Sequence, residues 1–250
     1  MLVEPKVKYT VKKDKVDDRD YLYKPTQTEL REHVDLRRYA SKVENQGHLS
    51  SCTGNAVVGA YELLLNKTLP DKFIDLSRLF VYYNARLLED NTNNDDGAYI
   101  RDAIKGLTKY GVCSEKLWPY HIKDYATKPN DESYTDAKHR NIQNYYRVLT
   151  MDSLLDALNN ERPVVFGMQV YKSFDDLYNY YDTVPMPKGD EEPIGAHAMC
   201  FVGYDLNKKL FIARNSFGMN WGVNGYCYIP FDYVEKEVLD LWVFDIKLDQ

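Results

Sequence analysis

Cysteine is scarce in this chain, with four copies in 250 residues. That excludes a small domain held together by a dense set of disulfides. Long apolar runs are missing as well. No window approaches the roughly 18 apolar residues of a membrane span, and the opening MLVEPKVKYTVKKDKVDDRDY lacks the apolar centre of a secretory signal. The expectation is a soluble chain without a membrane partner, cytoplasmic or delivered by a viral or host context. An excess of positive charge is absent too: 32 basic against 38 acidic residues leave −6. A net acidic chain is a poor match for a phosphate backbone, so no nucleic-acid partner is expected. The cysteines and histidines lack paired ligand spacing, so no metal and no cofactor is expected. There is no internal repeat and no low-complexity tract. What remains is ordinary globular usage, 44% hydrophobic and 28% charged, which argues against global disorder. The 22 tyrosines carry no function by count alone.

Periodicity divides the chain. Residues 1–33 hold no helical period and read as an extended arm; its first fifteen residues carry five lysines against Glu4 and Asp14. A folded body is expected from Val34 onward. Apolar residues at 56, 57, 60, 63 and 64 predict a helix over 52–66. Residues 75–90 predict a second helix with Ser77 as its cap, and 98–110 a third, stopped by Gly111. Residues 121–142 read as a polar surface connection, and 151–160 as a short helix. Beyond that, short apolar runs at 163–170, 198–204, 209–213, 226–230 and 241–246 read as strands, with 205–209 a hairpin loop. Helices first and strands later imply an α+β protein with two lobes, about 34–142 and 143–250, and a cleft between them.

One cysteine differs from the others. Cys113, Cys200 and Cys227 sit in apolar surroundings and read as small buried hydrophobes; whether Cys200 and Cys227 pair stays open. Cys52 opens the first strong helix, where the macrodipole and free N–H groups favour a thiolate. A thiol nucleophile needs a base, and the base needs an orienting group. Among five histidines, four lie in polar segments, while His197 lies among small residues at the start of an apolar run. Asn215 ends another run and precedes a glycine-rich turn; its amide could accept from an imidazole N–H, or it could serve only the turn.

Three blocks then coincide in order. VENQGHLSSC (43–52), GAHAMCFVGYD (195–205) and RNSFGMNWGVNGY (214–226) together resemble the papain-like cysteine peptidase family. The Cys-to-His separation of 145 residues, 197 − 52, agrees with that family. The likeness extends over roughly 34–246. It implies a two-lobed papain-like fold with a helical N-terminal lobe, a β-barrel-like C-terminal lobe and the site between them. It also implies a cysteine endopeptidase acting on polypeptides through an acyl-enzyme. By resemblance Cys52 is the nucleophile, paired as thiolate with a His197 imidazolium, Asn215 orients His197, and Gln46 helps form the oxyanion hole. Phe217 and Trp221 shield the pair, and Tyr99, Ile100, Gly167 and Ala198 line an apolar pocket for the second residue upstream of the scissile bond. Residues 1–33 resemble a short pro-segment of prokaryotic and viral-type relatives, expected to make an autoinhibitory contact.

The departures matter. Thr53 follows the nucleophile where an aromatic is usual, Phe217 replaces a tryptophan, and Leu49 stands where secreted members carry a disulfide cysteine. The paired-histidine insertion of cathepsin B is missing, which favours endopeptidase over carboxydipeptidase action. Two other readings accompany the peptidase: a papain-fold protein that binds without cleaving, and a thiol acyltransferase.

Overall fold

The structure is a computed structural model; it describes residues 8–26, 28–71, 73–178 and 182–247. The basic start of the arm therefore lies outside the described residues up to Lys8. The elements follow in the order β1 (His33–Asp35), α1 (Cys52–Thr68), α2 (Arg78–Leu87), α3 (Ile100–Tyr110), α4 (Asp131–Ala137), β2 (Ile142–Arg147), α5 (Met151–Asn159), β3 (Val164–Tyr171), β4 (Pro193–Asp205), β5 (Leu210–Arg214), β6 (Tyr226–Pro230), α6 (Phe231–Glu237) and β7 (Val238–Ile246).

Helix α1 is buried around nearly its whole circumference over its first three turns, which is why its sequence lacks the polar stripe of a surface helix. Gly54 allows it to approach α2: a methyl there would stand 2.7 Å from the Arg78 carbonyl oxygen. Helix α2 starts where the side chain predicted to cap it does so, with Ser77 Oγ accepting from the Phe80 N–H. Helix α3 ends at Gly111, whose φ of 75° suits glycine.

The strands form one antiparallel sheet in the order β2-β7-β3-β4-β5-β6, with β1 added on β4. The short strand β1 fixes β4 from the side. Gly203 is the contact point, because an added Cβ would lie 2.1 Å from the Val34 carbonyl oxygen. Gly203→Ala is therefore expected to cost roughly 1–3 kcal/mol through overpacking, read as a fall in melting temperature of several degrees. An unchanged melting curve would contradict that packing.

Four elements were not visible in the periodicity. Strand β1 has three residues, too few for a pattern. Strand β2 is half-exposed, paired with β7 on one side and bridged by the arm at Arg147 alone on the other, so its polar IQNYYR shows no alternation. Helix α4 buries only Ser133 and Ala137 and is initiated by the Asn130 cap, inside the stretch expected to be plain surface connection. Helix α6 follows Pro230 directly and buries Tyr233 and Val234. Strand β4 also starts earlier than the apolar run suggests, at Pro193, so His197 lies within it. The four cysteines are all buried and unpaired, which answers the open question of Cys200 and Cys227.

Candidate active site

Cys52 is the first residue of α1, so its side chain stands at the positive end of the helix macrodipole. The loop before it is held from three directions. Asp95 accepts from the Ser50 N–H at 2.9 Å and from the Tyr82 hydroxyl at 2.8 Å. The Tyr120 hydroxyl lies 2.5 Å from Ser51 Oγ and donates to the Gln46 carbonyl at 2.9 Å. Arg78 lies 4.3 Å over the Tyr120 ring. Sequence reading passed over Asp95, Tyr120 and Arg78. They are an acid, a phenol and a guanidinium scattered over three segments, which no local pattern connects.

Strand β4 brings the imidazole. Pairing with β3 sets Met168 opposite His197 and Gly167 opposite Ala198. His197 Nε2 lies 2.7 Å from Asn215 Oδ1. The same oxygen accepts from the Ser216 N–H at 2.8 Å, and two donors on one atom fix the amide orientation. Nε2 thus carries the proton and donates it. Nδ1 is buried without a hydrogen-bond partner among the described residues, so it is the nitrogen left for a thiol. Phe217 stacks on the imidazole at 4.9 Å between centroids, and Trp221 stands edge-on to Phe217 at 5.7 Å.

Gln46 is fully buried. Its Nε2 donates to the Leu49 carbonyl at 2.9 Å, and its Oε1 accepts from Ser216 Oγ at 2.5 Å. The carboxamide is thereby fixed by one N–H bond, leaving its second N–H to spare. Ser216 also accepts the Gln46 backbone N–H at its carbonyl, 2.8 Å. It ties the glutamine to the asparagine, a role the sequence blocks did not single out.

The N-terminal arm crosses this region. Val11 N–H donates to the Ala196 carbonyl at 2.9 Å, and Ala196 N–H donates to the Tyr9 carbonyl at 3.2 Å. Lys12 N–H donates to the Ala98 carbonyl at 3.3 Å. Both bridges, Thr10 with Ala196 and Lys12 with Tyr99, are parallel. The Tyr9 ring stands edge-on to His197 at 5.7 Å. Val11 lies beside Gly167 and Ile100: a methyl on Gly167 would be 3.5 Å from Val11 Cγ1 and 3.3 Å from Ile100 Cδ1. Lys12 sits 5.4 Å over the Tyr99 ring and pairs with Glu89 at 2.6 Å. Tyr99, Ile100, Gly167 and Ala198 are thus gathered at one place, with the arm seated among them.

Cys52 and His197 have no solvent exposure in this covered state. Burial pushes the Cys52 thiol up to about 11, against the opposing backbone bonds of Ala198 and Thr53. Burial also pushes His197 down to about 4, against the hydrogen bond to Asn215. Both groups are therefore neutral at pH 7 here. Burial in the covered form thus works against the thiolate–imidazolium pair expected from sequence, because charges in that position have no water around them.

A thiol at a helix start, together with an imidazole whose Nε2 is fixed by an amide and whose Nδ1 has no partner among the described residues, is the equipment of thiol-dependent acyl transfer. The chain belongs to the papain family of cysteine proteases: the family model described as "Papain family cysteine protease" matches residues 25–237. It is 40% identical over 233 residues to an uncharacterized peptidase C1-like protein of Acanthamoeba polyphaga mimivirus, covering 88% of this chain and 75% of that one. To cathepsin K of Gallus gallus it is 31% identical over 204 residues, covering 77% of this chain and 57% of that protein. Among solved structures, xylellain, a cysteine protease from Xylella fastidiosa, superposes with a TM-score of 0.91 at 35% identity, covering 100% of this chain and 99% of that one. The chain is a papain-like cysteine protease, a hydrolase acting on polypeptides, with the mixed α+β papain-like fold.

Proposed function

We propose that Cys52 is the nucleophile of an endopeptidase, His197 its base and acid, Asn215 the orienter of His197, and Gln46 an oxyanion donor. The observation that carries this is the 2.7 Å bond from His197 Nε2 to Asn215 Oδ1, which leaves Nδ1 for the thiol. With the arm displaced, Nδ1 takes the Cys52 proton and the thiolate attacks the peptide carbonyl. Charge builds on the carbonyl oxygen, and the spare N–H of Gln46 and the backbone N–H of Cys52 stabilise it. The tetrahedral adduct collapses, the C–N bond breaks, and His197 delivers its proton to the leaving amine. Water then loses a proton to His197 and attacks the thioester, releasing the acid and the thiol. Phe217 and Trp221 keep bulk water from the His197–Asn215 bond.

The pocket of Tyr99, Ile100, Gly167 and Ala198 takes the second residue upstream of the scissile bond, and its occupation by Val11 favours a branched aliphatic side chain there. The arm acts as an autoinhibitory cover rather than as a substrate. A substrate places upstream residues in that pocket and reaches the thiol afterwards. The arm passes His197 first, at Tyr9, and reaches the pocket two residues later, at Val11. Its chain direction is opposite, so its carbonyls are presented the wrong way for cleavage.

Turnover of a fluorogenic peptide with valine or leucine at that upstream position tests the reading, together with labelling of Cys52 by an epoxysuccinyl inhibitor. No turnover and no labelling, in protein freed of residues 1–24, would sink it. Gln46→Ala is expected to lower kcat roughly 100- to 1000-fold, the usual cost of one oxyanion donor, with KM little changed. A loss confined to KM would remove Gln46 from that role.

A further inference from the structure

Besides the upstream pocket, the arm marks a second recess. The Tyr9 ring lies in a slot with aromatic walls: His197 at 5.7 Å, Phe174 at 6.0 Å and Phe217 at 6.4 Å between centroids. At the end of the slot the Tyr9 hydroxyl donates to Asp175 Oδ1 at 2.6 Å. The floor is Gly195 of β4. A Cβ there would lie 2.4 Å from the Tyr9 carbonyl oxygen and 2.7 Å from Tyr9 Cβ, so glycine leaves the room that an entering residue needs. Its φ of 150° suits glycine as well.

The slot is supported from behind. Phe174 is 1% exposed and packs on Trp221 at 5.6 Å between centroids. With Asp175 it belongs to the 3-10 turn Lys172–Tyr178 that follows β3. Glu191, from the acidic run before β4, holds the start of that turn: its carboxylate accepts from the Ser173 N–H at 2.9 Å and from the Lys188 N–H at 3.3 Å. Asp175 is thus carried on a turn fixed at its first residues. The place of the slot along a substrate follows from β4. Ala198 lines the upstream pocket, His197 serves the reacting bond, and Gly195 lies beyond it on the opposite side. The leaving amine takes its proton from His197, so the residue bearing that amine lies against the imidazole on the Gly195 side. A side chain can fill a slot whichever way its backbone runs, so the reversed arm still shows what the slot accepts.

We propose that Asp175 sets the residue that follows the scissile bond, and that the slot selects tyrosine there. The inference rests on the endopeptidase reading and adds the substrate class on its leaving side. Ring walls favour a flat aromatic side chain over an aliphatic one. The carboxylate at the end accepts a hydrogen bond that a phenol supplies, whereas a phenyl ring would displace water from it and give no bond in return. A lysine or arginine would also reach Asp175, but it would set a flexible stem against the rings and bring a second positive charge beside His197, which carries a proton as the amine departs.

Internally quenched peptides that share valine at the second upstream position and differ only in the residue after the scissile bond test the slot on the full chain, with product masses fixing the bond cut. Each ratio of kcat/KM is taken on one protein, so the fraction of molecules with the arm in place cancels. The tyrosine peptide is expected to exceed the phenylalanine peptide roughly tenfold, the worth of a hydrogen bond to a partly exposed carboxylate. In Asp175→Ala the ratio should fall to about one, and in Asp175→Asn, which keeps an acceptor oxygen, part of the preference should return. A residue that only supported the turn would change both peptides alike and leave the ratio. Equal cleavage of the tyrosine and phenylalanine peptides by the parent, a retained ratio in Asp175→Ala, or a lysine peptide cut faster than the tyrosine one overturns the proposal while leaving the endopeptidase reading intact. Failure to cut any of the peptides would overturn that reading, and the proposal with it.

Discussion

Replacing Cys52 by alanine is expected to leave a folded protein with turnover lowered on the order of 10⁴-fold or more, the scale at which removal of a covalent nucleophile disables a catalytic unit. The reason is chemical rather than structural. The Cys52 side chain makes no cross-link, and α1 continues to Thr68, packed on nearly all sides over its first three turns. The melting temperature should therefore change by only a few degrees while the acyl-enzyme can no longer form. His197→Ala should fall to a similar level, and the double replacement should be little worse than either single one, because thiol and imidazole act as one unit. Turnover within tenfold of the parent in Cys52→Ala would exclude Cys52 as nucleophile.

The second large effect has the opposite sign. Val11→Asp is expected to raise kcat/KM for a small peptide substrate at least roughly tenfold. Val11 is the arm's apolar anchor, seated against Gly167 and Ile100. Burying such a side chain contributes about 1.5–3 kcal/mol, which corresponds to roughly 10- to 150-fold in the fraction of molecules with an open cleft. A charged replacement would also have to be buried without a partner. The flanking backbone bonds to Ala196 and Ala98 remain, so the arm should stay near the body but lose its hold on the pocket. Steady-state kinetics on parent and variant, with melting curves as control, decide the matter. Equal kcat/KM in the two proteins would mean that the arm does not obstruct substrate.

Much of this was legible in the chain itself, and for a physical reason. The blocks around Cys52, His197 and Asn215 are short because each residue is delivered by one local device: a helix start, a strand and a turn. Those devices leave patterns in sequence. The arm's position was legible only as a guess of contact, since an extended segment has no period, and its register on Tyr99 and Ala196 depends on residues 87 and 186 positions away. Asp95 and Ser216 were invisible for the same reason. Their value lies in the atoms they join, Ser50 to Tyr82 and Gln46 to Asn215, and no spacing rule connects such partners. The edge strand β2 and helix α4 were missed because half-exposed elements bury too little to imprint alternation or an amphipathic stripe.

The support beneath the nucleophile has a consequence for how the protein meets its surroundings. The loop before Cys52 is held by the buried Leu49 and by a carboxylate, Asp95, clasping Ser50 and Tyr82, with no disulfide. A strong reductant has nothing to cut there. Thiols such as dithiothreitol can keep Cys52 reduced without loosening the loop that carries it, and a shift between reducing and oxidising conditions acts on the sulfur of Cys52 and not on its mounting.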